Sequence, residues 1–193
     1  MTRLPRPVAA LLLAPVLLVA GLLGGCGGAT PSEPAVPSNW PVPADPQAAA
    51  AKAGLPMLGS EMLDIHYHAH LDLSIRGVTV GVPAYIGIDL KKQQISPLHT
   101  HDTTGIAHIE SATDIPFTLG QFFAEWGQPL NTNHIGPATV GAGEKLRVYL
   151  NGQEIAGDPA AAKFVAHGEY YFWLGPAGDT PTVPSSYTFP AGL

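Results

Sequence analysis

Ile65-His66-Tyr67-His68-Ala69-His70-Leu71-Asp72-Leu73-Ser74-Ile75 alternates polar and apolar residues without a break over eleven positions. Successive side chains of a β-strand point to opposite faces, so residues two apart share a face. His66, His68, His70, Asp72 and Ser74 therefore belong to one side. Ile65, Tyr67, Ala69, Leu71, Leu73 and Ile75 belong to the other. The stretch predicts a strand that packs a core with its back and displays imidazoles on its front.

A second stretch repeats the period. Leu98-His99-Thr100-His101 and Ala107-His108-Ile109-Glu110 flank Asp102-Thr103-Thr104-Gly105, and together predict a hairpin. Symmetric pairing would set His101 opposite His108 and His99 opposite Glu110. The two stretches hold six of the chain's eight histidines.

Strand signals dominate the rest. Arg76-Gly77 reads as a turn, Val78–Val82 and Tyr85–Ile88 as further strands, and Lys145–Leu150 as a strand ending in the hairpin turn Asn151-Gly152. Glu169–Leu174 is the last clear strand, followed by a Pro/Gly-rich tail in which Tyr187 and Phe189 could pin the chain to the body. One helix is well signalled. Thr118 and Gln121 have capping-box spacing, Leu119, Phe122, Phe123 and Trp126 form an apolar stripe, and Gly127 with Pro129 stop it. The expected fold is mainly β (α+β): an antiparallel β-sandwich or partly open barrel with one short helix.

The N-terminus predicts location. Arg3 and Arg6 precede an apolar run, Val8 to Leu23, that ends in Gly24-Gly25-Cys26. The run is shorter than the ~20 residues a span requires, and Cys26 is the sole cysteine. The pattern is that of a bacterial lipoprotein signal (residues 1–25) with lipidation at Cys26, anchoring an exported protein to the outer face of a membrane. Residues 26–56 are rich in Pro, Ala and Gly and read as a tether, with a short helix in the alanine run near 47–53. Residues 57–193 read as a single β-rich domain. Loss of residues 1–25 leaves seven basic against fifteen acidic residues, a formal charge of −8. That balance offers no footprint for nucleic acid.

Neutral imidazole suits Zn, Cu, Fe or Ni. On a straight strand rising ~3.3 Å per residue, His66 and His70 lie ~13 Å apart, too far for one ion. A site therefore needs the first strand beside the hairpin. The expected ligands are His66, His68, His70, His99, His101, His108 and Glu110, with Asp72 and Asp102 orienting imidazole N–H groups. A thioether-based cuprous site is disfavoured by the scarcity of methionine. Zn(II) or Cu(II) is the expected cofactor, and two ions are within the ligand count. His134 and His167 are outside candidates. No Gly-x-Ser-x-Gly elbow, His-Glu-x-x-His helix or phosphate loop occurs. The leading expectation is a metal-binding module for sensing, buffering or delivery. The alternatives are a metalloenzyme, with Glu110 or Asp102 as base, and a cell-surface interaction protein without metal.

Three strings, His66-Tyr67-His68-Ala69-His70-Leu71, Leu98–Glu110 and Phe117–Gly127, resemble in that order a group of uncharacterised secreted or membrane-anchored prokaryotic proteins. The resemblance covers about residues 65–175 and implies a shared domain. A fainter similarity to cupins rests on His-x-His followed by an acid; their Gly-rich frame and second motif are not evident.

Overall fold

The computed structural model describes Thr2, residues 36–62 and residues 64–193. The expected signal and Cys26 lie outside these residues. The described chain runs through α1 (Pro46–Ala53), β1 (Ile65–Ile75), β2 (Val78–Val80), β3 (Ile88–Asp89), β4 (Gln94–Ile95), β5 (Leu98–His99) and β6 (Ile106–Ser111). After α2 (Leu119–Glu125) come β7 (Leu130–Asn131), β8 (His134–Ile135), β9 (Ala138–Thr139), β10 (Glu144–Leu150), β11 (Gln153–Glu154) and β12 (Glu169–Pro176). The protein is β-rich, as the alternating pattern predicts.

Seven strands form the main sheet in the order β11-β10-β12-β1-β6-β5, with β2 also paired to β1. Five of its six ladders are antiparallel, but β1 runs parallel to β12, with His70 opposite Glu169. The main sheet is thus mostly antiparallel, as expected, with one parallel ladder that the sequence did not signal. Hairpin signals report only on neighbours in sequence, and this ladder joins segments about a hundred residues apart.

The faces of β1 follow the period of two. Ala69, Leu71, Leu73 and Ile75 are buried in the core. They meet Phe172 and Leu174 of β12, and the stripe of α2 covers them; Phe123 contacts Phe172 with ring centroids 5.2 Å apart. The α2 start is built as its sequence predicts: Thr118 Oγ1 accepts from the Gln121 N–H at 3.2 Å, and Gln121 Oε1 accepts from the Thr118 N–H at 3.0 Å. Leu119, Phe122, Phe123 and Trp126 are all fully buried, each worth roughly 1.5–3 kcal/mol by transfer from water. The Asn151-Gly152 turn has both residues at positive φ (49° and 82°), as a two-residue hairpin of this type requires.

Two expectations shift. Tyr85–Gly87 is a turn and only Ile88 of the expected strand is extended, at the start of β3, because Tyr85 and Gly87 take positive φ (68° and 69°); the Tyr85 N–H and the Ile86 carbonyl bond to Thr100. The folded body also starts earlier than residue 57. Trp40 is buried beside Trp126, α1 packs on α2, and Leu55 joins the core, so the second part of the expected tether is structured. Its alanines form α1, capped by Asp45 and ended by Gly54 at φ 72°.

Candidate metal centre

The front of the sheet carries the histidines, and its register decides which meet. On β1, His66 is opposite Glu110 and His68 is opposite His108; across β6, His99 is opposite His108. The expected hairpin pairing of His101 with His108 and His99 with Glu110 is thus off by two residues. The even shift keeps every side chain on its expected face. It arises because Thr100 bonds to Tyr85 and Ile86, and the turn is wider than four residues. Asp102 caps that turn, accepting from the Thr104 N–H at 2.8 Å and from Thr104 Oγ1. Those bonds hold its carboxyl below the ordinary range.

Three sets of donors can each surround a point: His66, His68 and His108; His99, His101 and His108; and Glu61, His99 and Glu110, each with its donor atoms within 4.8 Å of one another. His68 Nε2 is 3.2 Å from His108 Nδ1, and His99 Nε2 is 3.2 Å from His101 Nε2. Glu110 Oε1 lies 3.4 Å from His66 Nε2 and 3.5 Å from His99 Nε2. Donors around a tetrahedral ion with ~2.1 Å bonds stand ~3.4 Å from one another. The observed spacings match that shell.

The protonation of His99 is set by its backbone. Its Nδ1 is 2.9 Å from the Ser96 carbonyl oxygen, which can only accept, so Nδ1 carries the proton and Nε2 presents a lone pair. His99 is completely buried. Burial pushes its pKa down to about 3, helped by the neighbouring His108, His101 and His66. Burial, together with the surrounding rings, likewise lowers His108 to about 3 and His68 to about 4. All three are neutral at pH 7.

Glu110 is the unusual acid. Its Oε2 accepts from the Met62 N–H at 3.2 Å, while Oε1 is buried and makes no hydrogen bond, although two imidazole nitrogens stand near it. Burial and the charge of Glu61 raise its pKa. A buried acceptor without a donor is costly, on the order of 1–3 kcal/mol, and a cation is the partner such an oxygen suits. Glu61 is the ligand candidate that sequence reading missed. It falls just past the Pro/Ala-rich region, where nothing in the periodicity flags it, yet its Oε1 is 3.6 Å from His101 Nε2.

His70 stands apart from the three sets. Its Nδ1 is 2.7 Å from Glu169 Oε2 and its Nε2 is 3.0 Å from the Thr104 carbonyl oxygen. Burial alone would lower its pKa, but the Glu169 carboxylate outweighs it and the net shift is upward. His70, Asp72 and Glu169 also form a compact donor group, though both ring nitrogens of His70 already serve hydrogen bonds. The Tyr187 ring lies flat on His70, and Phe189 packs on His167 and on Tyr187. The tail is therefore pinned to this face as its aromatics predict. His134 sits on β8 beside Asn131 and belongs to none of the sets.

The fold thus brings His66, His68, His99, His101, His108 and Glu110 together and adds Glu61. A cleft of about 390 Å³, lined in part by Glu61, Tyr85, Leu90 and His101, opens beside the exposed edge of this centre. No family model, no curated protein and no solved structure matches the chain.

Proposed function

We propose that this protein is a lipid-anchored, extracytoplasmic module that holds Zn(II) or Cu(II) on its histidine-bearing sheet face, for sensing, buffering or delivery. The observation that carries the reading is the meeting of His99 Nε2 with Glu110 Oε1. One is a lone pair fixed by Ser96, the other a buried oxygen with no donor, and they lie 3.5 Å apart with His101 and His66 alongside. Imidazole with one carboxylate suits Zn(II) or Cu(II). The anchor follows from the Leu23-Gly24-Gly25-Cys26 pattern, and an acidic chain would leave membrane attachment to the acyl group.

The test is metal content. The full chain, loaded with Zn(II) or Cu(II) and freed of excess, should retain the ion, and His99→Ala combined with His108→Ala, which takes a ligand from both triads, should retain none. Retention no better than that of an unrelated protein would end the reading. The anchor is tested separately, by mass spectrometry of Cys26 after expression in a bacterium. An unmodified Cys26, or a chain with its first 25 residues intact, would end that part.

A second reading draws on the cleft beside His101 and Glu61, through which a small molecule can approach the centre. An ion with an open position there would activate water or oxygen, with Glu61 or Glu110 as proton acceptor. Azide added to the Co(II)-loaded protein separates the two. A changed visible spectrum favours the open position, and an unchanged one favours a closed binding site.

A further inference from the structure

His108 belongs to both histidine triads. On β6 it stands between His68 of β1 and His99 of β5. Its ring meets His68 edge-on (centroids 4.4 Å, 88°) and His101 edge-on (4.5 Å, 90°) on separate neighbouring segments. Toward β1, its Nδ1 is 3.2 Å from His68 Nε2. A ring nitrogen offers one in-plane lone pair and so binds one ion. An imidazole that serves two triads must therefore use both nitrogens.

The donor count points the same way. Five histidines and two carboxylates exceed the four positions of a tetrahedral ion. They divide with His66 and His68 from β1 on one side and His99, His101 and Glu61 on the other, while Glu110 Oε1 stands between them, 3.4 Å from His66 Nε2 and 3.5 Å from His99 Nε2. We propose that the centre takes two divalent transition-metal ions, one on each side, with His108 bridging them through its two ring nitrogens. The inference rests on the metal-binding reading and deepens it to a dinuclear site. As the second ion binds, the remaining ring proton of His108 passes to water, and the imidazolate adds one negative charge to those of Glu61 and Glu110. Three negative charges then face the four positive charges of two ions. The buried Oε1 of Glu110 gains a cation.

Cu(II) is the probe, because an imidazolate bridge couples two copper spins antiferromagnetically. The full chain should retain two coppers, with a low-temperature paramagnetic resonance signal integrating to well under two spins. His66→Ala combined with His68→Ala should retain one copper with its full spin. His108→Gln, checked for native circular dichroism without metal, should lose the coupling. One copper per wild-type chain overturns the dinuclear site and leaves the metal-binding reading intact. Two coppers with undiminished spin overturn the bridge. No retained copper overturns both.

Discussion

Tyr187 lies flat on His70, ring centroids 3.7 Å apart and planes within 7°. The contact joins the Pro/Gly-rich tail to the central strand of the sheet, and it covers a ring held on its edges by Glu169 and Thr104. His70 can donate from both nitrogens only as an imidazolium, and a cation over an aromatic face is attracted to it.

Tyr187→Ala should therefore free the tail before it unfolds the body. Limited proteolysis should cut C-terminal to residue 176 much faster in the variant, while the thermal midpoint falls by only a few degrees, in line with about 1 kcal/mol. Equal cleavage rates would show that this stack does not hold the tail.

Acid should weaken the metal-free protein through His99 in particular. Its folded pKa of about 3 lies below the ordinary 6.5, so the unfolded chain takes up the proton first. The stability linked to it is complete above pH 6.5 and is lost as pH falls toward 3, by up to about 1.4 kcal/mol per pH unit. His68 and His108 titrate with the same sign, so urea unfolding from pH 7 to 4 should show at least that slope, and His99→Gln should make it less steep. Excess Zn(II) should shift the whole curve upward, since an ion bound only to the folded state adds stability.

Glu125 should act with the opposite sign. It is buried in α2 beside Ser96, and burial, outweighing the Ser96 hydroxyl, raises its pKa to about 8. The folded state holds a proton that the unfolded chain releases near pH 4.5, so stability falls as pH rises from 4.5 to 8. Glu125→Gln should be more stable than the native protein at pH 8, on the order of 2 kcal/mol, and similar to it at pH 5. Equal stability at both values would refute the assignment.

Gly87→Ala should damage the centre from a distance. Gly87 has φ 69°, and a Cβ there would collide with the Leu98 carbonyl oxygen, next to His99. Removal of the clash requires β5 to move. Metal retention should drop at least tenfold, with a loss of stability of a few kcal/mol. His134→Ala, on a strand outside the centre, should leave metal retention unchanged.

Much of this architecture is written locally. The alternation of His66 to Ile75 fixed which side chains face the core, because a period of two needs no knowledge of partners. The Thr118–Gln121 box and the apolar stripe of α2 are local in the same sense. What escaped reading depended on distant chain. The hairpin register turned on Thr100 binding Tyr85 and Ile86. Glu61 joined the centre only because Met62 bonds to Glu110 and brings that segment alongside. His70 shares the face of His68 and looked equivalent to it, yet Glu169 of β12 claims its Nδ1.

The parallel ladder between β1 and β12 has a consequence for the order of assembly. The strand that carries His66, His68 and His70 finds one of its three partner strands only in residues 169–176, about a hundred residues further along the chain. Loop closure over such a separation is slow, and topologies rich in distant contacts fold slowly. A nascent chain halted before Glu169 would thus display its imidazoles on an unfinished sheet, and ion capture should await the synthesis of β12.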